Sequence, residues 1–361
     1  MTAAIDLVDA GIGVTLIERR PFAGGRTFSF TSDTGDELDN GQHVFLGCCA
    51  AYLALLDKLG QRSKAFLQRR LDVRLLDADR GPAGLWESPL PAPLHMLPAF
   101  LTYPYLSLGE KLAVLNALLR MRFRDLPEDE TLASWLLRHR QTPNALQRFW
   151  NVIIIPTCNA PAERVSAAQG GFVFREGLLR TAWDGRLGYP RVGLSHIVPE
   201  PATEYLRSRG AELRFGTALE RLDTEGALTS HGQRLTAAAY VAAVPPTVLA
   251  RLVPEPWAQP AAALELAPIV GINLWYDRPI FDGEVLAAIV DSQAYWLFDR
   301  SRILGKPGPE HHIAVSISAA EAVIEAPRSE LAGQVAAKLA KTLPAASRAT
   351  LLRSTVEKVR A

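Results

Sequence analysis

The sequence predicts an α/β chain, α+β overall, in which a Rossmann-like domain is interleaved with a domain of antiparallel sheet plus helices. Residues 2–10 carry apolar side chains at helical spacing, and the short apolar run 14–17, closed by Glu18, follows. A second helix-then-strand pattern occupies 195–215, and after residue 250 the pattern changes to short apolar runs separated by turns. We expect the first domain to comprise 1–60 and 186–250, and the second to comprise 61–185 and 251–361.

The first helix and strand match the second half of a βαβ dinucleotide-binding unit. In such a unit an acid at the end of the second strand holds ribose hydroxyls, which is the position of Glu18. The phosphate-binding glycines lie roughly 20 residues before that acid, so we expect their loop, and the strand before it, to be missing from this chain. Gly11-Ile12-Gly13 is no substitute, because it follows a helix and precedes a strand; we predict a turn there.

The pair Gly24-Gly25 and the following Arg26 form the next candidate cofactor contact. A backbone without Cβ atoms lets a pyrophosphate approach closely, and a guanidinium pairs with its oxygens. By itself this tripeptide would also suit a surface turn with a solvated arginine. Its position shortly after an acid-terminated strand favours cofactor binding.

Several motifs together resemble the FAD-dependent amine oxidase and phytoene desaturase superfamily. Within it, the chain is most similar to the hydroxysqualene dehydroxylase family, also called squalene-associated FAD-dependent desaturases, and the similarity extends over nearly the whole chain. The stretches that carry the resemblance are Glu18, 24–26, 39–43, 159–167, 190–195, 274–279 and 298–302. The first three are typical of the superfamily, and the middle ones indicate the subfamily.

The resemblance implies an FAD cofactor, an apolar isoprenoid substrate and reductive removal of the hydroxyl of hydroxysqualene, in squalene and hopanoid biosynthesis. It implies cofactor contacts at Glu18, Gly24, Gly25, Arg26 and Leu219, the last at the position that meets adenine. It also implies possible contacts with partner enzymes of the squalene pathway. A carotenoid desaturase of the same superfamily would transfer hydride in the opposite direction, from substrate to flavin. An amine oxidase fits less well, because no aromatic pair can be assigned to an amine cage.

Two departures from the family pattern leave a different class of function open. The N-terminal strand with its glycine loop is missing, and so is a C-terminal Gly-Asp segment that covers the flavin. There are then two alternatives. The chain is part of a longer flavoprotein, or it is a remnant without cofactor that binds an apolar lipid or a partner enzyme. Because a missing central strand would expose two strand edges, we interpret it as the former.

Further elements follow from periodicity and turn residues. We expect a helix over 110–123 with Leu112, Leu115 and Leu119 on one face, and a helix N-capped by Ser195. A hairpin tip is predicted at His231-Gly232, followed by a strand that ends at 241–245. The remaining predictions are antiparallel strands at 269–276, 285–290, 294–299 and 311–318 and a helix over 331–343.

His43 is the one ionisable side chain that we expect near the reacting centre, with a hydrogen-bonded core histidine as the alternative. Asp39 fits a cap for the turn at Gly41 better than a catalytic acid. His311 and His312 are neighbours in a strand and point to opposite faces, so they cannot share a metal, and we expect no metal site. Cys48-Cys49 lacks the spacing of a redox or zinc motif.

The composition and charge of the chain limit the classes of partner and the compartment that we expect. Lys and Arg number 39 against 38 Asp and Glu, which gives no basic excess for nucleic acid. Three cysteines and an acidic N-terminal helix favour a cytoplasmic protein. Residues 88–109 contain no Asp, Glu, Lys or Arg and are broken by five prolines, so they cannot form one continuous helix. This segment is either an irregular buried stretch or a peripheral contact with the inner face of the membrane.

Overall fold

The computed structural model describes residues 1–280, 285–290, 295–306 and 308–360. Its strands, in chain order, are β1 (Thr15–Glu18), β2 (Ser29–Thr31), β3 (Glu37–Asp39), β4 (Phe45–Leu46), β5 (Ala65–Leu67), β6 (Asp72–Asp77), β7 (Gly81–Trp86), β8 (Leu187–Pro190), β9 (Glu212–Phe215), β10 (Leu219–Asp223), β11 (Gly226–Thr229), β12 (Arg234–Leu235), β13 (Pro268–Tyr276), β14 (Leu286–Ile289), β15 (Tyr295–Asp299), β16 (His311–Ile317) and β17 (Leu351–Arg360).

The α-helices precede or lie between these strands, with six of them in succession between β7 and β8. They are α1 (Thr2–Asp9), α2 (Ala50–Lys58), α3 (Leu97–Thr102), α4 (Leu108–Phe123), α5 (Leu132–Arg138), α6 (Pro143–Ala145), α7 (Asn151–Cys158), α8 (Ala167–Phe174), α9 (Leu194–Ile197), α10 (Pro199–Ser208), α11 (Pro246–Leu252), α12 (Ala258–Ala262), α13 (Arg300–Ile303) and α14 (Arg328–Thr342). Wider π-helical turns occupy Leu146–Trp150 and Arg175–Leu179. Among the described helices none is long and apolar enough to cross a membrane.

The chain separates into two interleaved compact units. Unit 1 comprises Met1–Asn40, Tyr52–Lys64 and Val192–Leu266, and unit 2 comprises Gly41–Ala51, Ala65–Arg191 and Ala267–Ala361. The predicted bounds fall elsewhere, because the segment 41–51 adds β4 to a sheet of unit 2 and the segment up to 266 carries α11 and α12 in unit 1. The assignment of cofactor and substrate roles to the two parts stays a prediction.

The centre of unit 1 is a parallel pair of strands with two helices. β1 pairs with β9 from Thr15–Glu212 to Glu18–Phe215. Ile5 of α1 and Leu206 of α10 are fully buried in one small apolar cluster, against which side chains of both strands pack. Within the described residues β1 pairs with β9 alone.

Two small antiparallel sheets complete unit 1. β2 pairs with β3, and β10, β11 and β12 form a meander whose last turn contains His231-Gly232, as predicted. The strand predicted to end at 241–245 is wrong: no strand is formed there, and Val241 is 66% exposed. Without a described neighbouring strand, an apolar run has no partner for its backbone hydrogen bonds, and β propensity alone does not order it.

Unit 2 is built on a seven-stranded sheet in the order β17-β13-β16-β15-β14-β6-β7, antiparallel except for the parallel contact of β14 with β6. The predicted antiparallel runs after residue 250 are confirmed as β13 to β16, except that residue 294 lies outside the described residues. Alternate residues of β13, among them Ile272 and Leu274, are buried against α14, whose Leu331, Val335 and Leu339 face them as the helical spacing predicted.

A second and larger core of unit 2 lies among the helices between β7 and β8. Trp150 and Phe174 are fully buried there with edge-to-face ring contact at 4.8 Å. Part of the segment 88–109 belongs to this core, because Phe100 and Tyr103 are 5% and 1% exposed, whereas Leu101 is 52% exposed. The predicted alternative of a buried segment is therefore correct for about half of the apolar side chains in 88–109.

The leucines that were expected to share one face of α4, Leu112, Leu115 and Leu119, do lie on one face of the helix. The helix begins at Leu108, after a capping box between Ser107 and Glu110. Its buried face is formed by small and medium side chains, and the leucine face points outwards; the buried residues are Val114, Ala117 and Met121. The spacing of the leucines shows that they share one face of the helix. It does not show whether other parts of the protein cover that face, because covered and uncovered apolar faces have the same spacing.

Candidate functional site

The carboxylate of Glu18 lies at the end of β1, where the chain turns away from the sheet. Its Oε1 accepts a hydrogen bond from the backbone N–H of Arg20 at 2.9 Å, which leaves the second oxygen for another donor. The neighbouring strand continues alongside, since the Thr217 N–H donates to the Glu18 carbonyl at 3.0 Å. The predicted ribose acid is thus on a strand end, as the sequence reading requires.

The turn at 23–27 brings the two predicted glycines into left-handed backbone conformations. Gly24 has φ +119° and Gly25 has φ +59°. A Cβ on Gly24 would overlap the carbonyl oxygen of Thr27 and lie 2.8 Å from Cγ of Pro199, whereas a Cβ on Gly25 would meet open space. Gly24 is therefore required by the fold of unit 1, and Gly25 keeps the accessible side of the turn bare.

Side chains on both sides hold this turn. Nη1 of Arg20 donates to the Gly25 carbonyl at 3.0 Å, and Nδ2 of Asn40 donates to the Arg26 carbonyl at 2.8 Å. The guanidinium of Arg20 also lies 4.6 Å from the centre of the Phe28 ring, a cation–π contact. The Arg26 side chain is exposed, with no carboxylate partner among the described residues.

Asp39 and Ser195 join the β2–β3 hairpin to the start of α9. Oδ1 of Asp39 accepts the Ser29 hydroxyl at 2.7 Å and the Leu194 N–H at 2.8 Å. Ser29 and Ser195 also exchange two bonds, Ser29 N–H to Ser195 Oγ at 2.8 Å and Ser195 N–H to Ser29 Oγ at 3.1 Å.

Asp39 is structural, as expected, and its Oδ1 binds the N-terminus of α9. One prediction is corrected here. Ser195 is not an N-cap, because it lies inside α9 and its hydroxyl accepts from the hairpin instead.

The glycine of the 190–195 motif is required by the same junction. A Cβ on Gly193 would overlap Oε1 of Glu37 and lie 2.7 Å from the Ser29 hydroxyl. His196 follows on α9 and contacts two carboxylates, Glu200 at 2.7 Å and Glu37 at 2.8 Å. Glu200 in the first place, and then Glu37, raise the pKa of His196, against a smaller opposing effect of burial.

Leu219 begins β10 directly after the loop that contacts Glu18. It pairs with Thr229 of β11 and is half-buried. Since Thr217 bonds to Glu18, Leu219 is two residues from a direct neighbour of the predicted ribose acid. The structure therefore brings Glu18 and Leu219 together in unit 1.

His43 does not join this group. It lies in unit 2, in the extended stretch before β4, and its side chain is exposed. The alternative of a core histidine is wrong for that reason. The proposed position of His43 near the reacting centre stays a prediction.

The polar groups of unit 1 fit the ribose and pyrophosphate of a dinucleotide. They supply one carboxylate at a strand end, one turn with a bare left-handed glycine, and one exposed guanidinium; these are Glu18, Gly25 and Arg26. A carboxylate accepts hydroxyl donors, and the other two suit phosphate oxygens.

Sequence reasoning missed the supporting residues Arg20, Ser29 and Asn40. Their types carry no distinctive signal, and only the hydrogen bonds across the turn and hairpin reveal them. Elsewhere, burial is the main cause that raises the pKa of the Cys48 thiol to about 11, which makes it an unreactive group at neutral pH. Among the described residues no cluster of three or more His, Cys, Asp or Glu could hold a metal ion.

Comparison with known proteins gives matches along the whole chain. A hydroxysqualene dehydroxylase from Rhodopseudomonas palustris is 27% identical over 354 residues, 94% of this chain and 78% of that protein. A zeta-carotene desaturase from Zea mays is 27% identical over 77% of this chain and 54% of that protein. The chain spans roughly half to two thirds, 54–64%, of the zeta-carotene desaturases compared.

The same fold occurs in solved structures. An oxidoreductase from Methanosarcina mazei superposes with a TM-score of 0.72 at 14% identity, over 100% of this chain and 85% of that one. The family model described as flavin containing amine oxidoreductase matches residues 1–359. The chain therefore belongs to the flavin-containing amine oxidoreductase family, whose fold is that of the FAD-dependent oxidoreductases.

Proposed function

We propose that this protein is an FAD-dependent oxidoreductase that reduces hydroxysqualene to squalene. The observation that carries the substrate class is the extent of the Rhodopseudomonas palustris match: 354 aligned residues must include most of unit 2 as well as unit 1. The carotenoid desaturases match at equal identity over a smaller share of the chain. Both classes of relative act on long apolar isoprenoids, in keeping with an apolar substrate.

Unit 1 is proposed to hold the cofactor through its own polar groups. Glu18 would accept the ribose hydroxyls, and its second oxygen is the one that remains after the bond from Arg20. Arg26 and the bare side of Gly25 would face the pyrophosphate, and Leu219 would contact adenine. When bound, the flavin would supply the hydride that replaces the departing hydroxyl.

Removal of an allylic hydroxyl also requires a proton, because hydroxide is a poor leaving group and water is a good one. His43 is our candidate for that acid, since it is exposed and follows Asn40, a ligand of the glycine turn, by three positions. A protonated histidine ring can give its proton to the departing hydroxyl near neutral pH and is left as the neutral imidazole. This role rests on the proposed substrate, whereas the cofactor contacts do not.

The cofactor part of the proposal is tested by the conservative variant Glu18→Gln. The amide oxygen can still accept from Arg20 N–H, so the fold should persist, but the charge is lost. Charge-assisted hydrogen bonds contribute about 1.5–3 kcal/mol, so we expect FAD affinity to fall by roughly 10- to 150-fold. Glu212→Gln is a matched control, because Glu212 begins the neighbouring strand β9. Equal affinity of Glu18→Gln and wild type in a fluorescence titration would contradict the assignment.

The substrate part needs a direct comparison of two reactions. Purified protein with FAD and a chemical reductant should convert hydroxysqualene to squalene, detected by gas chromatography. Under oxidising conditions, zeta-carotene should stay unchanged, as judged by the absence of the red shift that accompanies longer conjugation. A red shift without squalene formation would favour the desaturase, and no flavin binding at all would favour the cofactor-less alternative.

A further inference from the structure

The outward face of α4 is a continuous apolar stripe that the protein does not cover. Four side chains along it are more than half exposed, at 71% for Leu108, 62% for Leu112, 54% for Leu119 and 74% for Phe123, and Leu115 is half-buried between them. At 3.6 residues per turn these five positions fall within about 80° of arc. The stripe is opposite to the buried face of Val114, Ala117 and Met121.

Exposed apolar surface continues beside the start of this helix. Leu101 of α3 is 52% exposed, and its carbonyl accepts a hydrogen bond from Lys111 Nζ at 2.5 Å, so α3 lies against α4. Leu94, just before α3, is 49% exposed. Together, Leu94, Leu101, Leu108, Leu112, Leu119 and Phe123 form what we call the α4 apolar face.

Large apolar side chains that are exposed together along one helix face mark a docking surface. The helix itself does not need the exposed leucines, because its capping box and its buried face already stabilise it.

The charges around the α4 apolar face are almost all positive. Viewed down the helix, Lys111 and Arg122 lie on one flank of the stripe and Arg120 on the other, each about 60–100° from its centre. Lys111 and Arg122 donate to the backbone carbonyls of Leu101 and Leu179 rather than to carboxylates. Long basic side chains on the flanks of an apolar stripe can place their charges at the level of lipid headgroups.

The single acid of α4 is turned away from this face. Glu110 accepts hydrogen bonds from Ser107, Thr142 and Asn144. Burial works against its charge, but these hydrogen bonds outweigh burial and lower the pKa of Glu110 to about 2. Its negative charge is thus held within unit 2, and the outer surface of the helix stays basic.

A polar recess adjoins the C-terminal end of the stripe. It has a volume of about 430 Å³ and is lined by Arg120, Arg124, Asp125, Leu126, Trp135, Arg138 and His139. Asp125 is paired with Arg175 at 2.9 Å and Arg138 with Glu130 at 2.5 Å, while Arg120 is held by the neutral amide of Asn116. Among the described residues, neither Arg120 nor Arg124 is paired with a carboxylate at its wall.

We propose that the α4 apolar face docks on a bilayer that contains anionic phospholipid. In this arrangement Leu112 and Leu119 insert into the bilayer, and Arg120 and Arg124 bind the phosphate of a lipid headgroup. A helix with one apolar face and basic flanks lies in the interface plane of a membrane. The charge pattern selects a negatively charged surface over a second copy of this chain, because two copies of this basic face would repel each other. The proposal is independent of the substrate.

The test is co-sedimentation of the purified protein with vesicles of phosphatidylcholine alone and of phosphatidylcholine with phosphatidylglycerol. We expect binding chiefly to the mixed vesicles. Leu112→Ser/Leu119→Ser should lose it, whereas Leu264→Ser/Leu352→Ser should not, since these leucines have similar exposures of 58% and 48% elsewhere. All four substituted leucines are outside the cores, so circular dichroism should show unchanged folding.

A second double substitution tests the contribution of the basic residues to membrane binding. Arg120→Gln/Arg124→Gln should lower the affinity for mixed vesicles by at least tenfold, since each basic residue near an anionic surface contributes about a fivefold factor. Arg69→Gln/Arg70→Gln, also exposed in unit 2, is the matched control. The proposal is overturned if wild type does not sediment, if Leu112→Ser/Leu119→Ser sediments like wild type, or if sedimentation velocity shows a dimer that this variant abolishes without any vesicle binding.

Discussion

The two units are stabilised by different kinds of interaction. Unit 2 is held by extensive apolar cores, with Trp150, Phe174, Ile272 and Leu274 almost completely buried. Unit 1 has a small cluster around Ile5, and its functional turn and hairpin depend on hydrogen bonds made by short polar side chains. An apolar core is stable without a ligand, whereas polar turns with accessible backbone open more easily. Unit 1 should therefore gain most from a bound cofactor.

The largest expected effect is in the core of unit 2. Trp150→Ala removes a fully buried indole that donates to Gln141 at 2.9 Å and packs on Phe149 and Phe174. We expect a loss of about 3–5 kcal/mol in the free energy of unfolding, measured by urea denaturation. Trp257→Ala in unit 1, where the side chain is 71% exposed, should change it by less than about 0.5 kcal/mol. Similar losses in both variants would contradict the contrast between the units.

The second prediction concerns the hydrogen bonds of unit 1. Asp39→Ala leaves the Ser29 hydroxyl and the Leu194 N–H without their acceptor, in a place where Asp39 is 5% exposed. Unsatisfied buried donors cost about 1–3 kcal/mol. We expect a loss of that size, with Asp39→Asn intermediate because its amide oxygen still accepts. If Asn and Ala behaved alike in denaturation, the hydrogen-bond account of the hairpin would be incorrect.

The two adjacent glycines separate folding from cofactor binding. Gly24→Ala should destabilise unit 1, because the new Cβ overlaps the Thr27 carbonyl and φ is +119°. Gly25→Ala has open space and φ +59°, so it should cost only about 1–2 kcal/mol of backbone strain. Its main effect should be weaker FAD binding in a titration. Normal FAD affinity for a folded Gly25→Ala protein would remove Gly25 from the site.

The smallest effect is a pH dependence at the start of α9. The pKa of His196 is raised above its usual 6.5, mainly by Glu200 and then by Glu37. Its stabilising contribution is therefore complete below pH 6.5 and is lost as the pH rises through the higher folded-state pKa. His196 is about half exposed, so the change should be small. Denaturation curves from pH 6 to 9 should show it in wild type and not in His196→Gln.

The sequence predicted the features that depend on local pattern. The helix–strand unit closed by Glu18, the antiparallel run β13 to β16 and the helix α14 all follow from periodicity and turn residues. The strands β6 and β7 were missed; in β7, Gly81, Pro82 and Gly84 carry little strand signal.

The errors arose where neighbours decide the outcome. Whether 241–245 forms a strand and what the Ser195 hydroxyl binds both depend on residues distant in the chain. For the proposed site, the family resemblance predicts contacts at Glu18, Gly24, Gly25, Arg26 and Leu219, but it did not point to Arg20 and Asn40, which hold the turn in place.

The most direct test of the account is hydrogen–deuterium exchange of the purified protein with and without millimolar FAD. A ligand at 100 times its dissociation constant stabilises the unit that binds it by about 2.7 kcal/mol. We predict slower exchange in β1, in the turn at 23–27 and in β9 and β10, with β13, β16 and α14 unchanged, and loss of the effect in Glu18→Gln. Unchanged exchange in unit 1, or equal slowing in both units, would contradict the central claim that unit 1 is the cofactor-binding unit.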